Sequence, residues 1–252
     1  MRAALACLTL LMSSPALAQP GVQAAYDAGD WATAQNLAAS ASDAYSKTLA
    51  AEAALAPLML GEVVEAGRSE KRERARMAAN FAQAALDIDP DYPRAHLAYA
   101  AALGYQGRYS NPLSAALARL PQRSRTRMER ALTLDPDNPW ANALLGAWHL
   151  EVVRRAGEGA FGADSEAGLE RYRTAVRLSD TPDIAYHFAL ALLARDAGAH
   201  GEEALEHLRA AATMEAETTL EAGMRGLAQS LLDIAETSRS AAADEAVRRL
   251  ES

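Results

Sequence analysis

Apolar residues and alanines recur at three- and four-residue spacing along nearly the whole chain, and Gly, Pro and Asp interrupt them at intervals. Residues 21–37 read as two short helices, with Gly29 stopping the first and Asp30 capping the second. Residues 43–61 form a third, which Pro57 kinks or ends. Residues 62–88 read as one long helix, charged at first and apolar from Met77 through Phe81 to Leu86. The turn Asp89-Pro90-Asp91-Tyr92-Pro93 stops it, and Pro93 suits the first residue of a helix running to Gly104. Gln106-Gly107-Arg108-Tyr109 reads as a turn like the one at Gly29, and residues 110–122 as a loop with a short helix. Residues 124–134 are helical, Asp135-Pro136-Asp137-Asn138-Pro139 turns the chain again, and a helix follows from Trp140 to about Arg155. Residues 156–164 are Gly-rich and irregular, and 166–178 are helical. A third turn at Asp180-Thr181-Pro182-Asp183 opens a helix to Ala194, a loop covers 198–201, and 202–214 are helical. Residues 218–237 set Leu220, Met224, Leu227, Leu231 and Ile234 on one stripe, and 238–252 fray or lie as a capping helix.

Aligned on the turns, Ala41, Ala85, Ala131, Ala175 and Ala211 fall at equivalent places, 44, 46, 44 and 36 residues apart. Such periods mark a helical solenoid, in which each hairpin hides one face and must stack on a neighbour to hide the other. The pattern resembles tetratricopeptide repeats. Gly29, Trp31 and Ala34 carry it first, then Ala85-Leu86 before Pro90, Ala95, Ala100, Gly107 and Tyr109. Ala131-Leu132 before Pro136, Ala141 and Leu145-Gly146 follow, then Tyr172, Ala175-Val176 and Ala185, and last Ala204, Leu208 and Ala211. The units exceed the usual 34 residues, and Asp180 replaces an expected proline. Longer helices or insertions are therefore expected at 62–76, 110–122 and 156–165. A second stretch, Leu144-Leu145-Gly146-Ala147-Trp148-His149-Leu150 through Phe161, is similar to the tetratricopeptide-like domain of the regulator of microtubule dynamics family. That likeness implies shared architecture and carries no microtubule role to an exported chain. The expected fold is all-α, a right-handed solenoid of four to five helix pairs over residues 19–216, with residues 217–252 as capping helix and tail.

Export is read from the N-terminus. Arg2 precedes a short apolar run, Ser13-Ser14-Pro15 breaks it, and Ala16-Leu17-Ala18 matches a cleavage site, so the mature chain is expected to begin at Gln19. Residues 1–18 would then be removed, placing the product in the periplasm or outside the cell. Cys7, the single cysteine, lies in this leader, so packing alone must stabilise the mature chain. The formal charge of −8 becomes −9 when Arg2 leaves, which argues against nucleic acid as the main ligand. Only Lys47 and Lys71 are lysines; the Arg and Ala excess fits a GC-rich bacterial genome and lowers the weight of Arg counts.

Candidate chemistry is sparse. Gly157-Glu158-Gly159-Ala160-Phe161-Gly162 matches G-x-G-x-x-G in letters, but a helix delivers it where a dinucleotide site needs a strand. Asp87, Asp89 and Asp91 open like a calcium loop, yet Tyr92 and Ala98 stand where Gly and Glu are required. His200, Glu203, Glu206 and His207 are the densest metal-like group and lack H-E-x-x-H. His96, His149 and His187 are isolated. No cofactor or metal is expected.

Two basic clusters remain. Arg68, Lys71, Arg72, Arg74 and Arg76 alternate with Glu70 and Glu73, as on a salt-bridged helix face. Arg119, Arg123, Arg125, Arg127 and Arg130 have only Glu129 nearby and suit an acidic partner or an anionic surface. The tetratricopeptide resemblance implies a concave face built by the first helix of each pair. It would present Arg94, Leu97, Ala101 and Tyr105, then Trp140, Ala143, Ala147 and Leu150, then Ile184, His187 and Ala191. The expected function is a non-catalytic scaffold of the cell envelope that holds a peptide or protein element on that face. The alternatives are an envelope-acting enzyme or accessory subunit, and a protein that associates peripherally with an anionic membrane surface.

Overall fold

A computed structural model describes residues 20–62, 66–179 and 181–251. The expected leader with Cys7, its Ala18–Gln19 cleavage point, and Asp180 of the third turn lie outside the described residues. The described residues hold helices joined by turns and loops, without a strand, and the α-helices are α1 (Pro20–Asp27), α2 (Trp31–Ala39), α3 (Ala44–Met59), α4 (Arg68–Ile88), α5 (Pro93–Arg108), α6 (Pro112–Leu117), α7 (Leu120–Leu134), α8 (Pro139–Ala156), α9 (Ser165–Leu178), α10 (Pro182–Thr213), α11 (Thr219–Thr237) and α12 (Arg239–Glu251).

Side-chain caps start many of these helices where the sequence places short polar residues. Asp30, Asp43, Asn111, Asn138 and Asp164 each accept a backbone N–H three residues ahead, at 2.7 to 3.1 Å. Thr218 and Glu221 form a reciprocal capping box at the start of α11. Gly29 stops α1 in the left-handed region, φ +75°. Pro57 sits in the last turn of α3 and the helix continues two residues past it. The acidic turns are turn and cap: Asp89 accepts the Asp91 N–H at 3.1 Å, and Asn138 Nδ2 donates to Asp135 at 2.9 Å.

The helices fold as consecutive antiparallel pairs, each leaning on the next: α1/α2, α3/α4, α5/α7, α8/α9, the two arms of α10, and α11/α12. This is an all-α helical solenoid of six hairpins among the described residues, one or two more than the sequence period indicates. The extra hairpin is α11/α12, in which the tail forms α12 and packs on α10 and α11. Two expected turns are corrected. Residues 106–108 complete α5, so the stop comes at Tyr109 and not at Gly107. The loop expected at 198–201 is helical; the chain reverses at Asp196 alone, which is extended at φ −162° and ψ 93°. Its Oδ1 accepts the N–H groups of Gly198 and Ala199 and so starts the second arm without a longer loop. Phe188 and His207 rings lie 4.9 Å apart; nineteen residues of straight helix would separate them by about 28 Å.

Alanine and glycine set the crossings. Ala85, Ala131, Ala175 and Ala211 are fully buried near the ends of their helices. Ala41 lies in the loop after α2, where Ala34 and Ala38 are the fully buried alanines of the helix. Backbones come closest at the α8/α9 crossing: a Cβ on Gly146 would stand 2.9 Å from the Gly168 carbonyl oxygen and 2.9 Å from the Tyr172 ring. The array also curves until its two ends meet. A Cβ on Gly29 would lie 2.6 Å from Thr219, and one on Gly223 would lie 2.5 Å from Leu60. A single apolar cluster accordingly runs from Val22 and Tyr26 through Phe188 and Leu192 to Met224 and Ala246.

Candidate functional site

The first helices of successive pairs, α3, α5, α8 and α10, touch one another and build the inner face. The concave residues expected from sequence divide into two groups. Leu97, Leu150 and Ile184 are buried in the helix packing, at 6%, 9% and 1% exposure, and offer a partner no surface. Their helical period marks an apolar face correctly, but the neighbouring hairpin covers it. Trp140 is half-buried between two apolar clusters. Arg94, Tyr105 and His187 are different: each is ringed by protein on nearly every side and still keeps accessible surface, 40% of the side chain for Arg94. Such residues sit recessed in the inner face, the cleft of the array.

At one end of the cleft the charges are satisfied. Arg94 makes a two-pronged ion pair with Glu52, at 2.7 and 2.6 Å, and lies 5.4 Å over the Tyr45 ring. Glu52 raises the Arg94 pKa further. The middle of the cleft is different. The Arg108 guanidinium lies 4.9 Å over the Tyr105 ring and makes no ion pair among the described residues. Burial pushes the Tyr105 hydroxyl up to about 12 and also raises Tyr172, while Arg108 pulls both the other way. Burial lowers His187, whose Nδ1 is 2.8 Å from the Asp183 carbonyl oxygen, and Arg108 lowers it further. Burial would raise Glu151, but its hydrogen bond from Arg154 and the charges of Arg108 and Arg155 hold it low. The sequence pattern hides Arg108, because Gly107 reads as a turn and the last turn of α5 is lost with it. At the far end Asp183 is 3% exposed, its Oδ1 has no hydrogen-bond partner, and burial with help from Glu221 pushes it up to about 7.

The Arg119–Arg130 cluster is not one patch. Arg125 pairs with Glu129 at 2.7 Å, lies 5.2 Å over the Trp148 ring and reaches the carbonyls of Phe161 and Gly162. Arg119 is exposed, with left-handed backbone at the start of α7. Arg123, Arg127 and Arg130 converge with His96, Tyr99 and Thr126 on a crevice of about 440 Å³ between α5 and α7.

The remaining motifs are structural. Gly157, Gly159 and Gly162 all have positive φ, in a loop pinned by Glu158, which accepts from Ser165 N and Oγ at 2.8 and 2.6 Å. His149 Nδ1 accepts the Asp164 N–H at 3.0 Å. Glu203 is held by Arg173 at 2.8 and 3.1 Å, and His207 packs on Phe188, so the His200–His207 group does not converge on a point. Among the described residues no three His, Cys, Asp or Glu are placed to hold a metal, and no helix is long and apolar enough to cross a membrane.

An array of stacked helical hairpins with a lined inner face belongs to the helical-repeat class of proteins. More particularly, the chain belongs to the regulator of microtubule dynamics protein 1-3 family, whose sequence profile matches residues 21–236. No curated protein matches the chain.

Proposed function

We propose that this protein is a non-catalytic binding module of tetratricopeptide type that clasps an extended peptide or protein element in its inner cleft. The observation that carries this reading is Arg108: a cation in the cleft, stacked on Tyr105, near Tyr172 and His187, and acting on Glu151, a carboxylate that accepts hydrogen bonds from Arg154 and Arg155 instead. Tyrosine and arginine supply much contact energy per residue in interfaces. An acidic or carboxylate-bearing segment of the partner matches the charge of that spot. Among the described residues no nucleophile, base and orienting group come together along the cleft, which favours holding over turnover.

The export signal read from residues 1–18 supports an envelope location for this module, free in the periplasm or secreted. Mass measurement of the protein from its host checks this; a mature start at Gln19 in the envelope fraction is expected, and an intact Met1 in the cytoplasm would end the envelope assignment. For the cleft, a photo-crosslinking residue replaces Tyr105 in one protein and the exposed Glu236 of α11 in another. Partners captured from position 105, lost on Arg108→Gln and absent from position 236, support the reading. Equal capture from both positions, or capture indifferent to Arg108→Gln, removes it. Co-sedimentation with microtubules tests the one partner that the family's name offers.

A further inference from the structure

We infer that the crevice between α5 and α7 is a second, separate binding site, built for a phosphomonoester. It lies on the outside of the array, so it stands or falls independently of the inner cleft. Its wall is constructed and not merely charged. His96 Nε2 is 2.9 Å from the Pro90 carbonyl oxygen, which only accepts, so Nε2 carries the proton. Nδ1 is then the bare nitrogen, and Arg127 Nη1 points at it from 3.4 Å. The same guanidinium lies 4.9 Å over the Tyr99 ring. Arg123 Nη2 donates to the Tyr99 hydroxyl oxygen at 3.0 Å. Two residues of α5, spaced three apart on one face, thus hold two arginines of α7 by neutral contacts.

The charges then do not cancel. Arg130 is paired with Asp91. Arg123 and Arg127 have no ion-pair partner among the described residues, although thirteen arginine or histidine ion pairs of other residues surround them in the molecule. The crevice therefore keeps a surplus of two positive charges. That surplus matches a phosphomonoester, which carries close to two negative charges at neutral pH, and guanidinium forks suit its oxygens. Thr126 does not compete as a donor, since its hydroxyl is given to the Gln122 carbonyl at 3.0 Å. At about 440 Å³ the crevice is larger than a phosphate group, leaving room for the body that carries it.

Calorimetric and NMR titrations of the full mature chain with inorganic phosphate and with phosphoserine test the site, at two salt concentrations. A second arm uses vesicles bearing a phosphomonoester headgroup, against neutral vesicles, and separates a lipid source from a soluble one. Saturable binding of either source, weakened at least tenfold by Arg123→Gln and by Arg127→Gln but not by Arg119→Gln, supports the site. The His96 imidazole adds a readout that a merely structural crevice would not move. Burial holds its pKa down, Arg127 and Arg130 lower it further, and Asp91 opposes them; bound phosphate raises it. Binding that is equal in all three variants, or equal for chloride and phosphate, or that leaves the His96 titration unmoved, overturns the inference. Thermal melts of each variant show that the fold is intact, and Tyr99→Phe, which keeps the ring and removes the hydroxyl, is the gentler second variant should an arginine variant misfold.

Discussion

In the α5/α7 hairpin, His96 and Arg127 face each other across the crossing, with Ser124 donating to the Ala100 carbonyl at 2.9 Å. In α8/α9 the same positions recur 46 and 44 residues later as Asn142 and Arg171, which bond at 3.0 Å, and Ala100 and Ser124 become Gly146 and Gly168. The frame is common to both, down to the arginine that reaches across. What differs is the surroundings. Tyr99, Arg123 and Arg130 of the first hairpin correspond to Leu145, Ala167 and Thr174 of the second. One crossing is propped open by side chains and lined with cations, whereas the other is closed backbone to backbone. A repeat thus supplies the geometry, and six differing positions on it separate a candidate site from a packing joint.

The largest effect should come from the closed joint. Gly146→Val puts atoms where the Gly168 carbonyl and Tyr172 already stand, and a loss of about 3 kcal/mol is expected in urea unfolding. Ala100→Gly at the equivalent open crossing should cost about 1 kcal/mol. Next is the position that follows the opening proline of each inner helix, occupied by Arg94, Trp140 and Asp183 in turn. Arg94 has Glu52, but the Asp183 oxygen has no partner and its pKa rises to about 7. A folded-state pKa above the unfolded value of about 3.9 means that the unfolded chain releases its proton first. Stability from this group is full below pH 4 and is lost as pH climbs to 7. Asp183→Asn should abolish that slope and gain up to about 4 kcal/mol at pH 8 relative to pH 4, read from melts across the range; a parallel pH dependence in the two proteins would refute it. Arg171→Gln removes the partner of the buried Asn142 and should cost about 1 kcal/mol. Arg127→Gln, whose partner is a histidine nitrogen at 3.4 Å, should cost under about 0.5 kcal/mol while abolishing phosphate binding. Equal costs for these two variants would erase the distinction between joint and site.

The hairpins and their turns were readable because Asp-Pro-Asp-x-Pro, Gly29-Asp30 and Asn138 act locally, through caps and fixed φ. The reversal after Ala194 was readable as well, but its place at Asp196 was not, since one extended residue with a capping carboxylate leaves little mark beside Gly198 and Gly201. Sites were less legible than joints. Periodicity gave Leu97, Leu150 and Ile184 an inward face, but what covers an inward face is decided by other hairpins. The basic run on α7 was visible as five arginines; that three of them meet His96 and Tyr99 depends on a crossing some thirty residues away in sequence. The cue that existed was the spacing of His96 and Tyr99, three apart and so side by side on α5.

The contact of Gly29 with Thr219, and of Leu60 with Gly223, turns a ladder of units into a ring with a seam. In an open ladder each rung answers only to its neighbours. Here about 190 residues of chain must be in place before the seam can zip shut, so its formation comes late and binds the fate of the first rung to that of the last.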